Sequence, residues 1–175
     1  WIRIPGTRVD YPIVQREGDN GYYLNHTIDG RKKTEGSIYT EDYNSKDFGD
    51  ANTVIYGHNM KNGSMFGKLR MFKKQDYYEQ HPYFYIYTPD GKEVKYQIFA
   101  VCIVEDTSES YERFYNNDEE YMDYLKHVKS IACYDTGVEV TVESRIVSLS
   151  TCTNVTDTQR LLVHGVKISE TVVGE

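Results

Sequence analysis

The stretch from Pro82 to Asp106, PYFYIYTPDGKEVKYQIFAVCIVED, limits the fold more than any other part of the chain. Aromatic and aliphatic residues alternate up to a Pro89-Asp90-Gly91 turn, and a long apolar run follows it. Alternation places side chains on opposite faces of an extended strand, and Pro-Asp-Gly is turn chemistry, so this stretch predicts a β-hairpin. A hairpin alone is marginal in water and needs further strands to cover it. The chain offers them in GSIYT, NTVIYG, VEVTVESRIVSLSTC and RLLVHGVKI, while WIRIPGTRVDYPIVQ gives two short extended runs around Pro5-Gly6 and Pro12. The tyrosines, 17 of 175 residues, fall largely in these alternating runs and read as half-buried strand packing.

Helical periodicity is confined to two places. SMFGKLRMF sets Met65, Phe66, Leu69 and Phe72 on one face, with Ser64 as a candidate N-cap. Residues 117–134 form the stronger pattern: Tyr121, Leu125, Val128 and Ala132 repeat at helical spacing, with Asp118, Glu119 and Glu120 in the first turn. That helix falls before the strand ending in Cys152, as an insertion in a β architecture. No internal repeat or linker interrupts the chain. The expectation is a mainly β fold, a closed barrel with attached helices, in a single domain spanning 1–175.

Composition removes several functions. A net charge of -7 argues against a nucleic-acid surface, which needs clustered Lys and Arg. The one dense basic run, GRKKTEG, is flanked by Asp29 and Glu35 and reads as a solvated loop. No run of about 18 apolar residues is present. Asp42, Asp47 and Asp50 are the nearest approach to an acidic cluster, and they too read as a solvated loop, so neither a metal nor an organic cofactor is expected. Cys102, Cys133 and Cys152 lack the paired spacing of a zinc site. Cys102 and Cys133 sit in apolar contexts and are expected to be buried as small hydrophobes. Cys152, at a strand end among polar neighbours, is the exception.

A strand-end thiol reads equally as a structural residue or as a nucleophile, and the second reading needs a base and an oxyanion donor. Of five histidines, His26, His81 and His127 read as loop, surface or helix-edge residues, and His164 as a packed strand residue. His58 follows NTVIY directly on a Gly57-His58-Asn59 turn, where an imidazole at a rim suits proton transfer. Arg160 opens the strand after Cys152, and an antiparallel pairing would bring the two together. A guanidinium there can donate to a developing oxyanion, or it can be a surface arginine paired with Asp157.

Taken together, YGHNM, LSTC and the downstream arginine resemble the sortases, cysteine transpeptidases of Gram-positive cell surfaces. WIRIPGTRVDYPIVQ, YYLNH, VIYGHNMKNGSMFGKL and HPYFYIYTPDG extend the resemblance over nearly the whole chain, and it is strongest to class B. The resemblance implies a sortase-type barrel of about eight strands. It implies Cys152 as the nucleophile toward the Thr carbonyl of an NPxTx or PxTG sorting signal. His58 would be the acid and base, and Arg160 the oxyanion stabiliser. It also implies Asn20, Leu24, Thr107, Tyr111 and Ser150 as contacts to the signal. Thr153 stands where class B often has an acid, which puts an acidic contact there in question. Expected partners are a signal-bearing surface protein and an amine of peptidoglycan or its lipid-linked precursor. The expected location is the outer face of the cell membrane, held by a segment preceding residue 1.

An ordinary thiol near pKa 8.5 is only ~3% thiolate at pH 7, so uncoupled groups would leave few competent thiolate–imidazolium pairs. The sequence therefore predicts slow turnover with a bell-shaped pH profile. Two other functions fit the same residues. A hydrolytic cysteine peptidase would use Cys152 and His58 with water, and a non-catalytic cell-surface binding domain would tolerate Cys152→Ala.

Overall fold

A computed structural model describes residues 1–174. The first strands in the chain are β1 (Ile2–Arg3), β2 (Asp10–Tyr11), β3 (Ile13–Val14), β4 (Ile38–Thr40) and β5 (Asn52–Tyr56). They are followed by β6 (Tyr83–Tyr87), β7 (Lys92–Glu105), β8 (Ile146–Cys152) and β9 (Gln159–Val172). All nine join one sheet in the order β2-β1-β6-β7-β9-β8-β5-β4-β3. The two strands at its ends, β2 and β3, are neighbours in the chain, joined through Pro12 alone. Proline has no N–H to give a ladder, so the barrel closes covalently at this seam and not by hydrogen bonds. The barrel is thus nearly closed, with nine strands and one seam. Among the described residues β9 lies between β7 and β8 and is the one strand whose ladders join the two halves of the sheet.

The predicted hairpin is present as β6 paired with β7, Phe84 opposite Tyr96 and Ile86 opposite Val94. Phe84 and Ile86 point into the barrel and are fully buried, while Tyr83, Tyr85 and Tyr87 stay partly exposed, as alternation demands. Further along β7 the alternation gives way to a continuous apolar run. Irregularities at Lys95/Tyr96 and Ile98/Ala100 bend the strand there. Ile98 and Val101 fill the barrel interior, whereas Phe99, Ala100 and Cys102 face a second core outside it.

The helix α2 (Asp118–Ser130) covers that second core with Tyr121, Tyr124, Leu125 and Val128. A short helix, α1 (Gln75–Gln80), precedes β6. Asn117 caps α2, its side chain accepting from the Glu120 N–H at 2.9 Å, and three acidic residues occupy the first turn. Burying each large side chain of α2 contributes roughly 1.5–3 kcal/mol, more than helix propensity could. This is why strands that look continuously hydrophobic are tolerated: both their faces are covered.

Three expectations need correction. The SMFGKLRMF segment forms a 3₁₀ helix, Gly67–Lys73, and Ser64 does not cap it. Met65 takes φ 53° just ahead of it, which breaks helical geometry there, although Phe66, Leu69 and Phe72 are buried as expected. Residues 137–144 form no strand despite the VEVTV alternation. A turn at Thr141–Ser144 breaks the run: the Ser144 N–H donates to the Thr141 carbonyl at 3.0 Å and the Thr141 N–H to Ser144 Oγ at 2.8 Å, so pairing starts only at Ile146. Cys133 is exposed and not buried, because α2 ends at Ser130 and the buried face does not extend to it.

Candidate active site

The end of β8 fixes Cys152, and the antiparallel register places it directly opposite Arg160 on β9. On its other side β8 runs parallel to β5, with Ser150 opposite Tyr56. The chain leaves β5 through Gly57, whose N–H donates to the Ser150 carbonyl at 3.1 Å. A Cβ on Gly57 would stand 2.5 Å from Ile38 Cδ1 and 2.7 Å from Phe66 Cδ2, so only glycine fits against the barrel wall. The tightness of that turn delivers His58 to the rim. Asn59 then ties the turn to the cysteine strand, its Nδ2 donating to the Cys152 carbonyl at 2.8 Å.

Cys152, His58 and Arg160, from three separate stretches of sequence, line one cleft of about 340 Å³. His58 Nε2 lies 2.6 Å from the Leu24 carbonyl. A carbonyl can only accept, so Nε2 carries the hydrogen and the neutral ring presents its lone pair at Nδ1. Arg160 donates from Nη1 to the Asp157 carbonyl at 2.7 Å and from Nη2 to Asp106 Oδ2 at 3.2 Å. The ion pair expected with Asp157 is therefore made with Asp106, which lies just beyond the end of β7, and Asp157 contributes only its backbone. With its guanidinium anchored on two sides and its side chain 22% exposed, Arg160 keeps further N–H donors for an oxygen in the cleft.

The remainder of the wall is aromatic. Tyr39 stacks on Tyr56 and Tyr56 on Tyr111, with centroids 5.2 and 6.4 Å apart. Tyr111 Oη and Ser150 Oγ are 2.7 Å apart. Burial pushes the Tyr39 and Tyr111 phenols up to about 12, with the nearby Glu41 adding to the effect at Tyr39. These rings are neutral hydrogen-bonding surfaces across the physiological range.

Of the signal contacts implied by sequence, Leu24, Tyr111 and Ser150 line the cleft, and Asn20 and Thr107 do not. Asn20 is held by Asp42: its Nδ2 donates to Asp42 Oδ1 at 2.8 Å, and its Oδ1 accepts from the Asp42 N–H at 2.7 Å. It braces the loop whose 3₁₀ turn, Tyr22–Leu24, carries Leu24 to the cleft. Thr107 is exposed beyond the end of β7. Sequence reasoning passed over Tyr39, Tyr56, Asp106 and Arg113, all on the cleft wall. Tyr56 was within reach, two residues before His58. The others depend on which strands become neighbours. A second depression of about 710 Å³, lined by Asn59, Asn62, Asn154 and Asp157, reaches Cys152 from the other side.

The Sortase domain family matches residues 2–168. Listeria monocytogenes sortase B is 38% identical over 169 residues, covering 94% of this chain and 67% of that protein. Staphylococcus aureus sortase B is 34% identical over 154 residues, covering 87% of this chain and 62% of its own length. The chain thus spans roughly two thirds of these relatives. The structure of a Staphylococcus aureus sortase B–substrate complex superposes with TM-score 0.88 at 29% identity, covering 99% of this chain and 79% of that one. Clostridium perfringens sortase B superposes with TM-score 0.89 at 32% identity, covering 97% and 92%.

Proposed function

The chain belongs to the sortase family, the cysteine transpeptidases, and from that premise we propose that it cleaves a C-terminal sorting signal of the NPxTx or PxTG kind after Thr and transfers the acyl chain to a peptidoglycan amine. The observation that carries this reading is the convergence of Cys152, His58 and Arg160 on one cleft.

The Cys152 thiolate attacks the Thr carbonyl, and the C=O electrons move onto oxygen, where Arg160 donates hydrogen bonds to the oxyanion. Collapse breaks the peptide bond, and the leaving nitrogen takes a proton from the His58 imidazolium, leaving a thioester on Cys152. An incoming amine gives its proton to His58, adds to the thioester and expels the Cys152 thiolate. Leu24, Tyr111 and Ser150 hold the signal in the cleft. The depression on the far side of Cys152, where Asn59, Asn154 and Asp157 lie beside Met60 and Val155, gives an amine a route to the thioester. The signal-bearing protein and the peptidoglycan or lipid-linked amine are the partners, at the outer cell surface, with attachment through a segment outside this chain. Among the described residues no helix is long and apolar enough to cross a membrane.

The test is cleavage of quenched fluorescent peptides with NPxTx, PPxTG, SPxTG and LPxTG cores, with and without an added amine. Wild type should cut after Thr and yield a ligated product in the amine's presence, and Cys152→Ala should do neither. Cleavage with no ligated product would favour a hydrolytic peptidase instead. Loss of no activity in Cys152→Ala would remove the thiol from the chemistry.

A further inference from the structure

One wall of the cleft is built from a segment with no strand of its own. Residues 106–117 connect β7 to α2 and bring Tyr111 and Arg113 to the cleft. A 3₁₀ turn, Glu109–Tyr111, orders part of the segment, and a buried polar cluster lies behind it. Asn52, the first residue of β5, is fully buried, and its Nδ2 donates to the Glu112 carbonyl at 2.9 Å and to Tyr124 Oη at 3.0 Å. Tyr124, from α2, donates in turn to the Ser110 carbonyl at 2.9 Å. Asn52 Oδ1 accepts from Ser148 Oγ at 2.8 Å, and Tyr115 Oη gives the Glu112 carbonyl a second donor at 2.7 Å. The carbonyls on either side of Tyr111 are thus both held from inside the protein, and both hydrogens of the Asn52 carboxamide are committed. Asn52 shares a face of β5 with Tyr56, and Ser148 shares the matching face of β8 with Ser150 and Cys152. The cluster therefore stands on the same side of the sheet as the nucleophile, with Asn52 about 13 Å from Tyr56 along the strand.

Resting on the reading above, in which the cleft holds the signal beside Tyr111, we infer that Asn52 is a positioning residue for the signal. With Tyr124 it sets where Tyr111 and Arg113 stand, and it touches neither the signal nor the reacting atoms. The place demands a side chain that donates twice and accepts once. Aspartate has the same shape, but its carboxylate would face the Glu112 carbonyl with no hydrogen between them. Tyr124 would then turn its hydroxyl to the carboxylate and release the Ser110 carbonyl. Unpartnered buried acceptors are costly, and the structure relieves them where it resists least. β5 is paired to β8 along its whole length, whereas the segment has no ladder, so the segment is what shifts.

The experiment measures kcat and KM for the peptide that wild type cuts fastest, on wild type, Asn52→Asp, Tyr124→Phe and Leu125→Ala. Alkylation of Cys152 by iodoacetamide, read by mass at that residue, and amide hydrogen exchange over residues 106–116 are followed alongside. Leu125 is buried in the same outer core and offers the segment no hydrogen bond, so its truncation controls for lost stability. Asn52→Asp should raise KM about tenfold with kcat within about twofold, as loss of one buried hydrogen-bonding arrangement implies. Tyr124→Phe should move KM the same way by less, and it carries the test if Asn52→Asp does not fold. Exchange over 106–116 should quicken in both, while Cys152 alkylation keeps its wild-type rate. Leu125→Ala should melt at a lower temperature with an unchanged KM. An unchanged KM in Asn52→Asp and Tyr124→Phe, or an equal rise in Leu125→Ala, would overturn the assignment and leave the sortase reading intact. Folded wild type that cuts no peptide would overturn the sortase reading, and the inference that rests on it would fall too.

Discussion

Gly57 shows how little freedom a single position has at this site. Its Cα lies so close to Ile38 and Phe66 that one added methyl must displace the barrel wall or the turn. Gly57→Ala should cost about 1–3 kcal/mol by overpacking, and several degrees in Tm. The displaced turn carries His58, so kcat should fall further than KM rises. A variant with unchanged thermal unfolding and full activity would show that the wall yields more easily than its geometry implies. The glycine was legible in sequence, as part of YGHN. The reason for it was not, because Ile38 and Phe66 are distant in the chain.

Between β8 and β9 a polar network runs through the outer core. Ser148 Oγ donates to Asn52 Oδ1 at 2.8 Å, so it accepts from His164 Nδ1 at 2.7 Å, and His164 Nε2 is buried with no partner. Burial drives the His164 imidazole down to about 3. Its ordinary value is near 6.5, so above that pH both folded and unfolded chains hold it neutral and it costs nothing. Between pH 6.5 and 3 the unfolded chain takes up the proton and the folded one does not, so stability falls as pH falls, by up to about 1.4 kcal/mol per pH unit. Urea midpoints of wild type should drop from pH 7 to pH 5, and His164→Asn should flatten that drop. An equal drop in both would place the acid sensitivity elsewhere. Elements with a local pattern, the β6–β7 hairpin and α2, could be read from sequence, as could strand packing for His164. Contacts that exist only because β5 lies parallel to β8, or β9 beside β7, could not. The Arg160–Asp106 pair is one of these, and the failed strand at 137–144 is the converse: a strand-like alternation broken by the turn at Thr141–Ser144.

At the scale of the molecule the order of the sheet matters more than any residue in it. Residues 1–158 include eight of the nine strands, yet without β9 they separate into two groups with no ladder between them. Such a fragment should show no cooperative melt by circular dichroism, and a peptide of residues 159–172 added to it should restore one. A fragment that melts cooperatively by itself would mean that the two cores suffice without the ladder. On the ribosome the same arrangement sets a schedule. Cys152 and His58 emerge early enough to meet through the β5–β8 pairing, but β9, which carries Arg160, enters after them, between two partners already made. A growing chain therefore holds Cys152 without its cross-strand neighbour Arg160 until β9 has emerged.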